Sequence, residues 1–100
     1  MREFIVYMAT NRINEKSYIG KTSNTLHNRK VDHIYEAFKR VRKDKFHSAI
    51  REFGIENFEW NILERSNNFT NLMKLENKLI KKYNTIENGY NTQIRKDLSK

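Results

Sequence analysis

Glu76 is the residue that most needs an explanation. Leu72, Leu75, Leu79, Ile80 and Tyr83 recur at helical spacing, and on a helical wheel Glu76 falls inside their stripe, between Tyr83 and Ile80. An ionised carboxylate is almost never buried without a partner, because its desolvation costs several kcal/mol. Glu76 therefore calls for a cation. A Lys or Arg in a structural ion pair and a bound metal ion both meet that need. Two further constellations carry chemistry. Arg29 and His33 are four residues apart, so they stack on one helical face, at the border of an apolar arc of Leu26, Val31, Ile34, Ala37, Phe38 and Val41. Tyr7 and Tyr18 lie on paired segments of an opening hairpin, where their hydroxyls can meet; as strand aromatics they are also ordinary packing residues.

The charge balance points these groups at a polyanion. The 100-residue chain carries a formal net charge of +8, and its pI is about 9.8. Nine Lys/Arg against Asp32, Glu36 and Asp44 give the segment from Lys21 to Arg51 a charge of +6, so one region holds most of the basic field. Lys39, Arg40, Arg42, Lys43 and Lys45 are its densest run and the candidate DNA-backbone contacts. Nucleic acid is the first partner to consider and an anionic membrane surface the second. The absence of cysteine excludes disulfides, thiolate metal sites and cysteine nucleophiles. No apolar run approaches the ~20 residues a membrane span needs, and the N-terminus lacks a signal-peptide pattern, so a cytoplasmic protein is expected. Thirteen Asn among many Lys and Ile suit an AT-rich genome such as a phage's.

The elements that must position these residues read as one small domain over residues 1–100, with a core at about 4–91. A strand over Phe4–Thr10 alternates Phe4, Val6 and Met8 against Ile5, Tyr7 and Ala9, and a turn over Asn11–Lys16 leads to a returning strand over Ser17–Thr22. Ser23, Asn24 and Thr25 are N-cap candidates for a helix running to about Arg42. A short helix over Lys45–Phe53 should end at Gly54, suited to a left-handed position. Asn57–Glu64 alternates Phe58, Trp60 and Ile62 against Glu59 and Asn61, as a half-buried strand does. A helix over Thr70–Tyr83 follows, and Asn88-Gly89 forces a turn. The order is β-β-α-α-β-α, an α+β fold in which a three-stranded antiparallel sheet is flanked by helices.

In that order the motifs resemble those of the GIY-YIG nuclease family, most closely the catalytic domains of its phage homing endonucleases. Ile5-Val6-Tyr7, eleven residues before Tyr18-Ile19-Gly20, is similar to the family's GIY…YIG signature. Arg29 and His33 have its R-x-x-x-H spacing, Phe46-His47-Ser48-Ala49-Ile50 resembles its second-helix segment, and Glu76-Asn77 sits on its third helix. Asn88-Gly89-Tyr90-Asn91 resembles its closing N-G-Y-N. One motif departs: Ile5 stands where the family usually has Gly, which bears on the local strand geometry.

The resemblance implies a DNA phosphodiester hydrolase working with one Mg²⁺ or Mn²⁺ ion. Glu76 would hold the metal, and Arg29 would stabilise charge developing at phosphorus. Tyr7 is the preferred general base with Tyr18 sharing its hydrogen-bond network, although the choice between the two tyrosines stays open. Lys21 and His33 would supply the positive charge that draws off the phenolic proton, while His47 and Asn91 orient the phosphate or scaffold the site. No zinc finger, basic zipper or helix-turn-helix pattern is present, so the expectation is either a catalytic piece served by a recognition domain or partner elsewhere, or a free-standing nuclease with little sequence preference, with the isolated domain a monomer. Two rival readings remain: a non-catalytic nucleic-acid-binding module using the same basic face, and a partner-binding protein in which Glu76 is a structural ion pair.

Overall fold

The computed structural model describes residues 3–92. Strand β1 (Phe4–Asn11) and strand β2 (Ser17–Thr22) form an antiparallel hairpin, and strand β3 (Phe58–Ser66) pairs antiparallel with the other side of β1. The sheet order is β2-β1-β3, so β1 is central and β2 is an edge. Helices α1 (Leu26–Phe38), α2 (Lys45–Phe53) and α3 (Phe69–Tyr83) complete the expected β-β-α-α-β-α order, with one 3₁₀ turn (Ile55–Asn57) ahead of β3.

The sheet is covered on both faces, which explains why β1 is apolar at nearly every position. On one face Ala9, Phe58 and Tyr90 pack with Ala37, Phe46, Ala49 and Ile50 of α1 and α2. On the other, Val6 and Ile19 pack with Leu72 and Ile80 of α3, with Phe4, Met8, Leu63 and Leu75 around them. Side chains of β2 therefore divide between two half-cores. Tyr18 and Gly20 pair with Ala9 and Tyr7 on the α1/α2 face; Ile19 and Lys21 pair with Met8 and Val6 on the α3 face.

Helix α1 ends at Phe38, earlier than Arg42. Arg51 of α2 donates to the Ala37 carbonyl at 2.8 Å, meeting one of the orphan acceptors of the last turn, and Val41 takes a left-handed φ of 52° that no helix continues. The buried stripe of α1 also differs from the apolar arc. His33 and Ala37 are its buried residues, whereas Val31, Phe38 and Val41 are about half exposed. In β3 the alternation holds through Phe58 and Trp60 and then breaks. Tyr7 pairs with Ile62 but Val6 pairs with Glu64, so Leu63 is the extra residue of a bulge; it packs against the α3 half-core, and Ile62 lies at the surface. Ile5 sits in regular pairing with Thr22 and Arg65, so the missing Gly of the first motif leaves β1 undistorted there.

Two glycines are required by geometry. A Cβ on Gly20 would stand 2.5 Å from the Tyr7 hydroxyl oxygen and 2.9 Å from the Tyr18 ring, so only glycine lets those two tyrosines share the sheet face. Gly54 closes α2 with a φ of 88°, and its N–H returns to the Ile50 carbonyl at 2.9 Å.

Candidate active site

The polar residues converge at the free edge of β2, where the two helical layers can reach around the sheet. A cleft of about 240 Å³ there is lined by Tyr18 of β2, Arg29 and His33 of α1, His47 of α2 and Glu76 of α3. That is the volume of several water molecules, roughly 30 Å³ each in the liquid, and is enough for a phosphate with a hydrated ion. A second, shallower groove shares Tyr18, Arg29 and Glu76 and adds Lys21. Arg29 and Glu76 thus arrive from opposite half-cores onto one surface.

Glu76 is buried and has the cation its position demanded. Lys21 Nζ lies 3.1 Å from Glu76 Oε1, and both side chains are largely buried, 13% and 5% exposed. The ion-pair account of Glu76 is therefore met by Lys21, while the same carboxylate still faces the cleft. No group of three or more His, Asp or Glu suited to a metal occurs among the described residues, so no all-protein cage is available. The cleft is lined by two carboxylates, Glu76 and Asp44, and so sparse a donor set suits Mg²⁺, which keeps most of its waters and takes only one or two carboxylate ligands.

Tyr7 and His33 depart from the roles expected of them. Tyr7 is fully buried and lines neither groove. Burial pushes its phenol well above the usual range, the neighbouring Tyr18 adds to the rise, and the hydrogen-bonded Arg29 guanidinium only partly opposes it. Tyr18 is the tyrosine that lines the cleft, with its ring stacked on Phe46 at 4.2 Å. His33 is no source of positive charge. Burial, then the charges of Arg29 and His47, push it down to about 3, so the ring is neutral near pH 7. It accepts or donates within a buried set instead, 2.6 Å from the Tyr7 hydroxyl through Nε2 and 2.9 Å from His47 Nε2 through Nδ1. Lys21, expected beside the tyrosines, is committed to Glu76.

Asn91 scaffolds the edge. Its side chain accepts from the Ile19 N–H at 2.8 Å and donates to the Ile19 carbonyl at 2.9 Å, which satisfies the backbone that an edge strand leaves open. The Tyr90 N–H donates to the Ser17 carbonyl beside it. Of the basic run, Arg42 lines the cleft and ion-pairs with Asp44 and Glu36, Arg40 pairs with Glu36, and Lys45 donates to the Ile86 carbonyl. Lys39 and Lys43 are exposed.

Asp44 is the site residue that sequence reasoning missed. It N-caps α2, accepting from the His47 backbone N–H, and its carboxylate oxygens stand 2.7 and 2.9 Å from His47 Nδ1. Burial alone would raise its carboxyl, but the His47 hydrogen bonds and the Arg42 charge outweigh it and hold it below the usual range. An Asp three residues before a His at a helix start was the available signal.

Residues 3–91 match the family model described as the GIY-YIG catalytic domain. A curated relative, "Putative MSV199 domain-containing protein 146R" of Invertebrate iridescent virus 6, is 32% identical over 88 residues, covering 86% of this chain and 36% of its own length. The chain thus spans about a third of that protein. A mutant catalytic domain of intron endonuclease I-TevI superposes with a TM-score of 0.82 at 25% identity, covering 94% of this chain and 97% of that one. A second structure of the catalytic domain of homing endonuclease I-TevI gives 0.78 at 26% identity, covering 90% and 98%.

Proposed function

The chain belongs to the GIY-YIG family of nuclease catalytic domains, and from that membership we propose that it is an endonuclease hydrolysing DNA phosphodiester bonds with one divalent ion and a tyrosine base. The observation that carries this reading is the meeting of Arg29 and Glu76, from opposite faces of the sheet, on one cleft. A bound Mg²⁺ or Mn²⁺ would supply Lewis-acid stabilisation of the leaving oxygen. Glu76 would hold that ion, with Lys21 ion-paired to the same carboxylate. Arg29 presents its donor fork to the phosphate and meets the charge that grows on the non-bridging oxygens. Tyr18 is the better base, because a base must touch the attacking water and the Tyr7 hydroxyl is sealed under the cleft floor. Tyr7 becomes a member of the network beneath it.

DNA lies along the basic run at the α1–α2 connection, held through its phosphates. The domain acts as a monomer in the cytoplasm, and sequence preference resides in a partner or a further domain. No described helix is long and apolar enough to cross a membrane.

A plasmid-nicking assay tests the reading. Cleavage should stop in EDTA and return with Mg²⁺ or Mn²⁺. Saturable binding with no product in any metal would instead make the domain a non-catalytic DNA-binding module, and cleavage undiminished by exhaustive chelation would remove the metal. The +6 carried between Lys21 and Arg51 gives a second expectation. Binding should be weak and fall steeply with salt, since each phosphate contact released returns counterions to the DNA. An affinity equal at low and high salt contradicts backbone binding.

A further inference from the structure

Along the wall of the cleft, with Asp44, His47 and His33 lining it and Tyr7 behind them, runs one unbroken series of polar side chains that hydrolysis as derived above does not use. Asp44 meets His47 Nδ1 at 2.7 Å, His47 Nε2 meets His33 Nδ1 at 2.9 Å, and His33 Nε2 meets the Tyr7 hydroxyl at 2.6 Å. Tyr7, His33 and His47 are all buried. Arg29, which lines the same cleft, acts with its charge on the Tyr7 hydroxyl and favours its ionised form.

With His47 in its neutral form, the Asp44 carboxylate fixes the direction of every bond in the series. Arginine can only donate and a carboxylate can only accept. Asp44 therefore takes the Nδ1 proton of His47. A neutral His47 then has Nε2 as its acceptor, and His33 must donate to it from Nδ1. That leaves His33 Nε2 to accept, so Tyr7 donates its hydroxyl proton there and turns its lone pairs to Arg29. That ordering runs from Tyr7 to His33 to His47 to Asp44 and leaves the Tyr7 lone pairs to Arg29. A doubly protonated His47 would reverse the His47–His33 and His33–Tyr7 links.

We propose that Asp44 is a positioning residue: it sets the tautomers of His47 and His33 so that Tyr7 presents an acceptor to Arg29 and holds the guanidinium toward the phosphate. This rests on the phosphate role given to Arg29 above. Asp44 also lines the cleft, and the tautomer readout below separates its action through the intervening side chains from contact with DNA. Asp44→Asn cannot repeat the wiring. The Asp44 oxygens together serve the His47 backbone N–H, the His47 ring and Arg42 Nε at 3.2 Å, and an amide has one acceptor for three donors.

The test uses the full chain with ¹⁵N-labelled histidine at pH 8, where a free imidazole is neutral. Long-range ¹⁵N–¹H correlations should show His33 and His47 both protonated at Nδ1 alone. In Asp44→Asn both should change toward the Nε2–H form, and the Arg29 side-chain Nε–H signal should exchange faster with water. Single-turnover cleavage should fall on the order of 100-fold, the scale of a misplacement of about 1 Å, while DNA affinity without Mg²⁺ stays within about threefold. Asn and Ser cap helices as well as Asp does, so Asp44→Asn and Asp44→Ser should both remain folded. A cap-only role predicts parental cleavage in both variants and would overturn the proposal. So would a parent with His33 in the Nε2–H form or a doubly protonated His47. Should the parent cleave no DNA at all, the nuclease reading fails, and the tautomers and the Arg29 signal still decide the wiring.

Discussion

Glu76→Gln should reduce DNA cleavage to background and, at the same time, lower the melting temperature. The loss of activity follows because glutamine offers the metal a neutral oxygen in place of the one carboxylate that α3 brings to the cleft. The loss of stability follows from Lys21. Its ammonium stands 3.1 Å from Glu76 with its side chain 13% exposed, and it would keep its charge in a largely dry place without the counter-charge. Removing one partner of a fully buried pair costs about 3–5 kcal/mol. Lys21 can still reach water and the oxygen of the introduced amide, so about 1–2 kcal/mol is the expected loss. In a domain of this size that is roughly 5–15 °C of melting temperature. Combining the change with Lys21→Met should recover most of the stability and none of the cleavage. Nicking assays and thermal melts on the single and double variants read the two roles separately. Parental cleavage by Glu76→Gln would end the metal-ligand assignment.

Arg29→Ala should depress single-turnover cleavage by about a hundredfold or more, the scale for losing one transition-state donor, with a much smaller change in DNA affinity. Lys39→Ala and Lys43→Ala are the comparisons, since both side chains are exposed and belong to the same basic run. They should weaken binding modestly and leave the chemical step nearly intact. Arg42 is a poor control because it also pairs with Asp44 and Glu36. Arg29→Lys should recover little, because an ammonium cannot span a phosphate and the Tyr7 hydroxyl as a planar fork does. Equal, small effects at Arg29 and at the two lysines would reduce Arg29 to a surface charge.

The strands and the second and third helices are legible because their signals are local. β1 is a short apolar run set off from β2 by a polar turn, Gly54 stops α2, and Glu76 stands out against its own stripe. α1 misleads because apolarity on its wheel is not the same as burial. Its inward residues include His33, which the packed Tyr7 and His47 satisfy, while Val31, Phe38 and Val41 face outward. A helical wheel has no access to partners on other elements. The same limit applies to Leu63, whose bulge is set by pairing with β1, and to Asp44, whose importance depends on where His47 points. For the tyrosines, their nearness is readable from the hairpin but their depth is not. Depth is decided by α1 and Trp60 closing over Tyr7 while the edge of β2 stays open beside Tyr18.

The division of the cleft between two half-cores also sets a timetable. Arg29 rides with the layer made by residues 26–53, whereas Glu76 rides on α3, the last helix among the described residues. Chains emerge N-terminus first, at roughly 5–20 residues per second. A growing chain therefore has its hairpin, its basic run and Arg29 before it has Glu76. On the proposed mechanism the capacity to cut waits for α3 to dock against Val6 and Ile19 and bring Glu76 to the cleft.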